Sequence, residues 1–194
     1  MIEAGASVLL ASASPRRKQL LELLGLAVEQ ISADIEERRA DDEPVKRYVR
    51  RLALEKAATL SEAGMQRAVP VIAGDTVVAI GERSFEKPAD EEDAVRMLTA
   101  LSATTHEVHT SVCVSWRDTP VVAVVSTAVT FRKVSESEAR RYWATGEPRG
   151  KAGAYAIQGL GAQFVAHLSG SHSAVMGLPI FETSELLGQL KDWP

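Results

Sequence analysis

Apolar residues recur along the chain with two different periods, and each period predicts one kind of element. Short apolar runs, and runs that alternate with polar residues, indicate strands. We predict strands over 7–13, 27–32, 69–73, 76–80, 106–116, 121–132 and 163–168. Apolar residues spaced about three or four positions apart indicate amphipathic helices, predicted over 15–24, 44–63, 91–101, 136–145 and 179–190. The predicted fold class is therefore α/β, a twisted mixed sheet flanked by helices.

Serine, glycine and proline mark where several of these elements begin and end. Ser14 is placed to cap the first helix, because its hydroxyl can accept a bond from a free backbone N–H of the first turn. Gly64 is expected to close the second helix. The dipeptide Gly74-Asp75 is expected to end a short buried strand. Residues 117–120 (Arg-Asp-Thr-Pro) are expected to form the turn of a hairpin.

Length and composition narrow the class of protein. The 194 residues suit one domain, or two lobes that share a core, and no internal repeat or linker is apparent, so a single domain over 1–194 is expected. Hydrophobic residues make up 45% and charged residues 25%, which is typical of a globular protein. The net charge is −4. Because nucleic-acid-binding surfaces normally carry a basic excess, nucleic acid is disfavoured as a partner.

Cysteine and histidine offer little chemistry. Cys113 is the single cysteine, so neither an intramolecular disulfide nor a Cys-rich zinc site can form, and a buried core position is expected for it. The histidines show no metal-ligand spacing and are assigned no role; they are His106, His109, His167 and His172.

The start of the chain shows neither a signal-peptide pattern nor a membrane span, so a cytoplasmic location without membrane contact is expected.

Residues 12–17 (Ser-Ala-Ser-Pro-Arg-Arg) join the first strand to the first helix. Two arginines in the first turn of a helix oppose the helix dipole, at a cost of roughly 0.3–1 kcal/mol each when exposed. A bound anion would reverse this, because free backbone N–H groups, serine hydroxyls and guanidinium groups together form a phosphate cradle. A solvated arginine pair beside an ordinary serine cap explains the same residues.

Lys56 lies on the apolar stripe of the second predicted helix, which runs through Val45, Val49, Leu52 and Leu60. A lysine there must extend to solvent, pair with an acidic group from elsewhere, or reach a cleft that holds negative charge. Extension to solvent is the commoner outcome.

Two acidic positions and two polar loop positions complete the candidates. Asp75 directly follows a buried apolar strand, which is costly without a cation, metal or water, although a turn aspartate bonded to its own backbone is common. Glu36 and Glu37, in the acidic connection 34–42, can supply a second carboxylate for Mg²⁺, although alone they are typical of a solvated charge run. Lys87 precedes Pro88, which favours an extended backbone. In the glycine-rich stretch 150–161, the glycines suit close approach to a ligand and Gln158 can donate and accept toward a base edge, although a flexible surface loop explains the same residues.

Six short blocks, taken in order, resemble the Maf family of nucleotide pyrophosphatases along nearly the whole chain. They are LASASPRR at 10–17, LEKA at 54–57, GDTVV at 74–78, EKP at 86–88, KAGAYAIQG at 151–159 and VMGLP at 175–179. The resemblance implies a fold like that of the inosine triphosphate pyrophosphatases, with a twisted mixed sheet split into two lobes and the active site in the cleft between them. It also implies cleavage of a nucleoside triphosphate between the α and β phosphates, with a divalent cation, Mg²⁺ or Mn²⁺.

The resemblance also implies roles for individual residues. Asp75 matches the catalytic acidic residue of the family, usually assigned as proton acceptor, and further active-site positions match Ser12, Arg17, Glu37, Lys56, Lys87 and Gln158. We expect Asp75 and Glu37 to hold the metal and to orient or deprotonate the attacking water. The triphosphate is expected to bind Lys56, Lys87, Arg17 and the helix start at Ser14. The base pocket is expected to involve Arg16, Thr76 and Gln158.

The family has one branch that acts on thymidine and uridine triphosphates and another that acts on 7-methylguanosine triphosphate. The second branch typically carries tryptophan where Arg16 stands, glutamine where Thr76 stands and glutamate where Gln158 stands. This chain therefore resembles the pyrimidine branch, with dTTP, UTP or modified pyrimidine nucleotides as substrates and a role in nucleotide pool clean-up or cell division arrest. The alternatives are a 7-methyl-GTP pyrophosphatase, or a nucleotide-binding regulator of septum formation with little catalysis. A homodimer through the long hairpin is a further expectation.

Overall fold

The computed structural model describes residues 3–117 and 119–193. The strands in these ranges are β1 (Ser7–Ala11), β2 (Ala27–Ile31), β3 (Val71–Ile80), β4 (Arg83–Phe85), β5 (Thr105–Trp116), β6 (Thr119–Phe131) and β7 (Val165–Ser169). The α-helices are α1 (Pro15–Glu22), α2 (Val45–Ala58), α3 (Ser61–Arg67), α4 (Glu91–Leu101), α5 (Glu136–Ala144), α6 (His172–Met176) and α7 (Ile180–Gly188). Two short 3₁₀ helices, Ala152–Ala154 and Leu160–Phe164, lie between α5 and β7.

The strands form one mixed sheet in the order β2-β1-β3-β5-β6-β7, and β4 pairs with β3. β1 pairs in parallel with β2 and with β3, whereas β3–β4 and β6–β7 are antiparallel. The predicted mixed sheet is therefore confirmed. β5 and β6 are consecutive in the chain and adjacent in the sheet, as a hairpin requires. Asp118 of the predicted hairpin turn lies outside the described residues.

The chain divides into two compact units. The first unit contains the described residues up to 75, those between 110 and 125, and those from 177 onward; the second contains 76–109 and 126–176. β3, β5 and β6 each contribute residues to both units. The cleft implied by the family resemblance stays a prediction.

In the first unit, α2 packs on the sheet through small aliphatic side chains. Ala53 and Ala57 of α2 meet Leu9 and Ala11 of β1, with Val71, Ala73 and Cys113 in the same core. The run from Val8 to Ala11 is buried throughout, as expected of a strand with parallel neighbours on both sides. This packing fixes α2 over β1 and β3.

In the second unit, α4 and α5 pack against the sheet around aromatic rings. The Phe131 ring makes edge contacts with His106 and Tyr155, at centroid distances of 4.9 and 4.8 Å, and Phe164 makes an edge contact with Tyr142. Leu98 and Leu101 of α4 and Ala139 of α5 complete this core. Helices thus cover the sheet in each unit, as the α/β fold class predicts.

Two predicted boundaries within residues 44–64 are wrong. The helix expected over 44–63 is two helices, because α2 ends where the Thr59 hydroxyl donates to the Lys56 carbonyl at 2.7 Å. Gly64 does not close a helix but lies inside α3, where a Cβ would come within 2.6 Å of a Val71 methyl. Its missing side chain therefore serves packing.

The strand expected to end at Gly74-Asp75 instead continues as β3 through Ile80. Thr76 to Ile80 favour extended backbone, and Val78 to Ile80 are held by pairing with β4. The short strand β4 and the helix α6 were not predicted. Within residues 3–117 and 119–193, no helix has the length and apolar character needed to cross a membrane.

Candidate active site

A buried lysine joins two carboxylates in the first unit. Lys56 Nζ lies 2.8 Å from Asp75 Oδ1 and 2.6 Å from Glu37 Oε1. The side chains of Lys56 and Asp75 are 6% and 10% exposed, whereas that of Glu37 is 38% exposed. Of the three outcomes considered for Lys56, pairing with an acidic group is the one the structure shows. The ion pair of Lys56 and Asp75 is thus buried, and solvent reaches this group of charges at Glu37.

The fold explains why these groups meet. Val45, Val49 and Leu52 bury the stripe of α2 against the first unit, and Lys56 follows one turn later on the same stripe. Asp75 lies within β3, on which α2 packs, rather than after its end as predicted. The charged pair is therefore placed by two regular elements.

Gly74 lets another strand and an arginine come close beside Asp75. A Cβ at this position would lie 2.8 Å from the backbone oxygen of Ser111 in β5 and 3.4 Å from Arg17 Nε. Any side chain would push one of these neighbours away. The glycine of the Gly-Asp pair thus serves close packing at the site and not a turn.

Arg17 connects the start of α1 to a loop near the end of the chain. Its Nη1 donates to Ser12 Oγ at 3.0 Å and its Nε donates to the Gly177 carbonyl at 2.8 Å. Ser14 caps α1, as predicted, by accepting from the Arg17 N–H, and its own N–H donates to Ser12 Oγ. Gln30 on β2 donates to the carbonyls of both serines, at 2.7 and 3.1 Å. Arg16 is half-buried in the first turn of α1.

The charges in the first unit compensate one another. Burial lowers the pKa of the Arg17 guanidinium, and the negative charges of Asp75 and then Glu37 oppose that lowering. Arginine stays protonated in proteins, so Arg17 remains a cation. Two anions and two cations are therefore gathered around the Ser12 loop, a setting in which an added phosphate would meet both guanidinium and ammonium donors.

The acidic connection that carries Glu37 has no regular secondary structure but is fixed to α2. Arg51 donates to both oxygens of Glu43, at 2.8 Å each, and to the Arg38 carbonyl at 3.0 Å. Arg39 Nε donates to the Glu43 carbonyl at 2.6 Å. Taken alone, Glu36 and Glu37 are typical of a solvated charge run, and no sequence pattern indicated Gln30.

The other candidates lie in the second unit. Lys87 and Gln158 are exposed, and Thr76 is half-buried in β3. The Gly153 N–H donates to the Glu86 carbonyl at 3.1 Å, which ties the Lys87 loop to the glycine-rich stretch. The convergence of Lys87, Thr76 and Gln158 with Asp75 on one substrate stays a prediction.

The glycines of that stretch contact the protein itself. At Gly153, where φ is +67°, a Cβ would lie 3.0 Å from the Val78 side chain. At Gly161 it would lie 2.6 Å from the Tyr142 hydroxyl, and at Gly159 it would overlap the Glu147 carboxylate. The glycines that were expected to allow close approach of a ligand thus allow close packing within the protein.

Asp75 and Glu37 are suitable donors for a hard divalent cation. Mg²⁺ usually takes about one or two protein carboxylates together with waters and substrate phosphates, and the oxygen donors of this pair fit that requirement. Among residues 3–117 and 119–193, no group of three or more His, Cys, Asp or Glu side chains is arranged to hold a metal. The carboxylate pair therefore suits a cation that also binds phosphate.

Cys113 is buried in the core of the first unit, as predicted. Burial raises the pKa of its thiol to about 12, although the positive charge of Arg50 acts in the opposite direction. Because the thiolate is the reactive form, Cys113 is chemically inert here.

Comparison with known proteins places the chain in a family. The Maf-like protein family matches residues 7–190. A dTTP/UTP pyrophosphatase of Saccharophagus degradans is 49% identical over 94% of this chain and 88% of its own length, and one of Pseudoalteromonas translucida is 48% identical over 93% and 95%. The Ham1 protein of Staphylococcus aureus is a distant structural neighbour, with a TM-score of 0.46, 16% identity, and coverage of 95% of this chain and 90% of its own. The chain therefore belongs to the Maf-like protein family.

Proposed function

We propose that this protein hydrolyses dTTP and UTP to the nucleoside monophosphate and pyrophosphate. The observation that carries the proposal is the buried Lys56, whose ammonium group joins Asp75 and Glu37 close to the guanidinium group of Arg17. Such a compact set of opposite charges can bind a triphosphate and assist its hydrolysis. The names of relatives at 48–49% identity agree with this reaction.

The residues of the first unit divide the work between proton transfer and charge compensation. Asp75 accepts the proton of the attacking water, which cleaves the α–β anhydride. Arg17 and the hydroxyl of Ser12, with the helix start at Ser14, bind phosphate oxygens. Lys56 holds the carboxylates in place and offsets charge that develops on the phosphates.

Asp75 and Glu37 together would hold a divalent cation, Mg²⁺ or Mn²⁺. When bound, the cation would offset negative charge on the phosphate oxygens and help to place them. The 38% exposure of the Glu37 side chain suits a group that exchanges its lysine contact for another cation. A chelator is expected to abolish pyrophosphate release.

In the second unit, Lys87 is proposed to bind the phosphates, and Thr76 and Gln158 to contact the base together with Arg16. The amide of Gln158 can both donate and accept, as the N3–H and O4 groups of thymine and uracil require. Gln158 lacks the negative charge that a methylated, cationic purine would favour at this position. We propose that residues 1–194 act as one domain, in the cytoplasm, with homodimer formation through the β5–β6 hairpin.

The proposal is tested with a panel of dTTP, UTP, dCTP and 7-methyl-GTP in the presence of Mg²⁺ or Mn²⁺. We expect pyrophosphate and the monophosphate in equal amounts from dTTP and UTP. Orthophosphate as the product would contradict cleavage at the α–β bond. Preference for 7-methyl-GTP would favour the other branch of the family, and nucleotide binding without turnover would favour a regulator.

A further inference from the structure

A carboxylate just beyond α5 holds the backbone on both sides of Gln158. Glu147 Oε1 accepts from the Tyr142 hydroxyl at 2.6 Å and from the Gly161 N–H at 2.9 Å, and Oε2 accepts from the Leu160 N–H at 2.9 Å. The same Tyr142 hydroxyl accepts from the Ala156 N–H at 3.0 Å. The chain is thus fixed two residues before Gln158 and two and three residues after it.

Glu147 is suited to this task because it stays ionised. Burial raises the pKa of Glu147, but the hydrogen bonds from Tyr142, Gly161 and Leu160 lower it by a larger amount. Its pKa therefore lies below the ordinary value for glutamate. A carboxylate that accepts several N–H and O–H bonds is a strong anchor for a loop.

The glycines around Gln158 allow the carboxylate to approach. A Cβ at Gly159 would overlap the Glu147 carboxylate, and a Cβ at Gly161 would lie 2.7 Å from the Ala156 carbonyl. Glycine at 159 therefore lets the backbone of this stretch pack directly against the Glu147 carboxylate.

Gln158 is the polar side chain that the anchored stretch presents. Residues 156–161 read Ala-Ile-Gln-Gly-Leu-Gly, so the other side chains are apolar or absent. Ile157 is buried in the core of the second unit, whereas Gln158 is exposed. The fixed backbone limits where this exposed amide can lie relative to a base edge, and displacement of the backbone would move its donor and acceptor together.

We propose that Glu147 is a positioning residue that, through the backbone of 156–161, sets the direction of Gln158 and so the enzyme's preference between pyrimidine bases. The inference rests on the proposed function, because it assumes that Gln158 faces the base. Thymine offers a donor at N3 and an acceptor at position 4, whereas cytosine offers the reverse. Glu147 therefore affects the choice between dTTP and dCTP more than the chemical step that both share.

Glu147→Gln tests this with little change in shape. An amide has one oxygen and one NH₂ group, so whichever way it turns, a donor faces Tyr142 and Gly161 on one side or Leu160 on the other. At least one anchor is lost. Glu138→Gln is the matched control, because Glu138 lies in α5 and also accepts a backbone N–H, that of Ser135, at 2.9 Å.

The measurement is the ratio of kcat/KM for dTTP to that for dCTP, taken on one preparation of each variant so that the amount of folded protein cancels. We expect Glu147→Gln and Gln158→Ala each to lower the ratio about tenfold, with kcat for dTTP changing less than KM. The double variant is expected to match Gln158→Ala alone. Glu138→Gln is expected to lower stability and leave the ratio unchanged.

Three results would overturn the inference: an unchanged ratio in Glu147→Gln, the same fall in Glu138→Gln, or a further fall when Glu147→Gln is added to Gln158→Ala. If the wild-type protein releases no pyrophosphate from dTTP or UTP, the proposed function fails on its own. The ratio of dTTP to dCTP affinities, measured by calorimetry on the same variants, then decides the inference, and equal ratios in wild type and Glu147→Gln would end it.

Discussion

The two units bury different kinds of polar group. In the first unit, a core of alanine, valine and leucine side chains surrounds the ion pair of Lys56 and Asp75. The second unit buries a neutral polar pair: His106, whose pKa burial lowers to about 4, has its Nε2 3.0 Å from the Tyr155 hydroxyl inside an aromatic cluster. The first unit therefore buries a charged pair, whereas the aromatic cluster of the second unit buries a neutral one.

Burial of an ion pair and burial of a neutral hydrogen-bonded pair have different free-energy costs. A buried ion pair contributes little net stability, because desolvation offsets most of the attraction, but removal of one partner is costly. A buried neutral pair needs only a hydrogen bond. The first unit thus carries an expensive arrangement that stability alone does not require, which is what a site for phosphate chemistry would be expected to show.

The largest effect on activity is expected from removal of the Asp75 charge in the first unit. Asp75→Asn keeps the size of the side chain but removes the proposed proton acceptor, so kcat for dTTP should fall about 1,000-fold. Pyrophosphate release under saturating dTTP measures this. Asp34→Asn, at an exposed position of the acidic connection, is the control and should change little. Near-normal turnover by Asp75→Asn would refute the assignment.

The next effect concerns stability as well as activity. Lys56→Met leaves the carboxylate of Asp75 buried without its cation, so the free energy of unfolding should fall by about 3 kcal/mol. Urea denaturation measures it, with Lys46→Met at an exposed position of α2 as control. Adding Asp75→Asn to Lys56→Met should restore part of the loss, because the two groups are coupled. Fully additive losses would show that the ion pair is not the cause.

The second unit should respond to pH through His106. Burial lowers the pKa of this histidine from 6.5 to about 4. Between these values the unfolded chain binds a proton that the folded chain does not, so the contribution to stability is complete above pH 6.5. It is lost as the pH falls toward 4, by about 3 kcal/mol in all.

His106→Gln removes this titration but keeps a polar partner for Tyr155. We expect the free energy of unfolding of the variant to decline less than that of the wild type between pH 6.5 and 4. His167→Gln, at an exposed position of β7, serves as the control and should follow the wild type. Parallel curves for wild type and His106→Gln would contradict a neutral buried histidine.

How far the sequence predicts this protein depends on whether a signal is local. α4 was predicted over 91–101 and is found at Glu91–Leu101, because its apolar period and its Asp90 cap lie within one segment. The break after α2 was missed because residues 58–62 contain neither proline nor glycine to mark it. β3 was predicted to end at Gly74-Asp75. The glycine is instead needed because β5 packs closely against it, and no local sequence pattern indicates that contact.

The same distinction applies to the site. Lys56 could be singled out because a lysine on an apolar stripe needs an explanation, and Asp75 because a carboxylate directly after an apolar strand is costly. The sequence could not predict that Arg51 fixes the Glu37 segment, or that Glu147 fixes the loop of Gln158. These contacts depend on loop geometry, and glutamate and arginine in polar segments are usually solvated.

The smallest effect is expected for Lys87, and it sharpens the contrast with Lys56. Lys87 is exposed in the second unit, so Lys87→Met should leave the free energy of unfolding within about 0.5 kcal/mol of the wild type. If its ammonium group binds the triphosphate, kcat/KM for dTTP should still fall about tenfold to thirtyfold, as expected for one lost charged contact. Denaturation and steady-state kinetics on the same samples, with Lys46→Met as control, measure both quantities. A loss of stability without a loss of activity would mean that Lys87 serves the fold, and the triphosphate would then have to bind through the first unit alone.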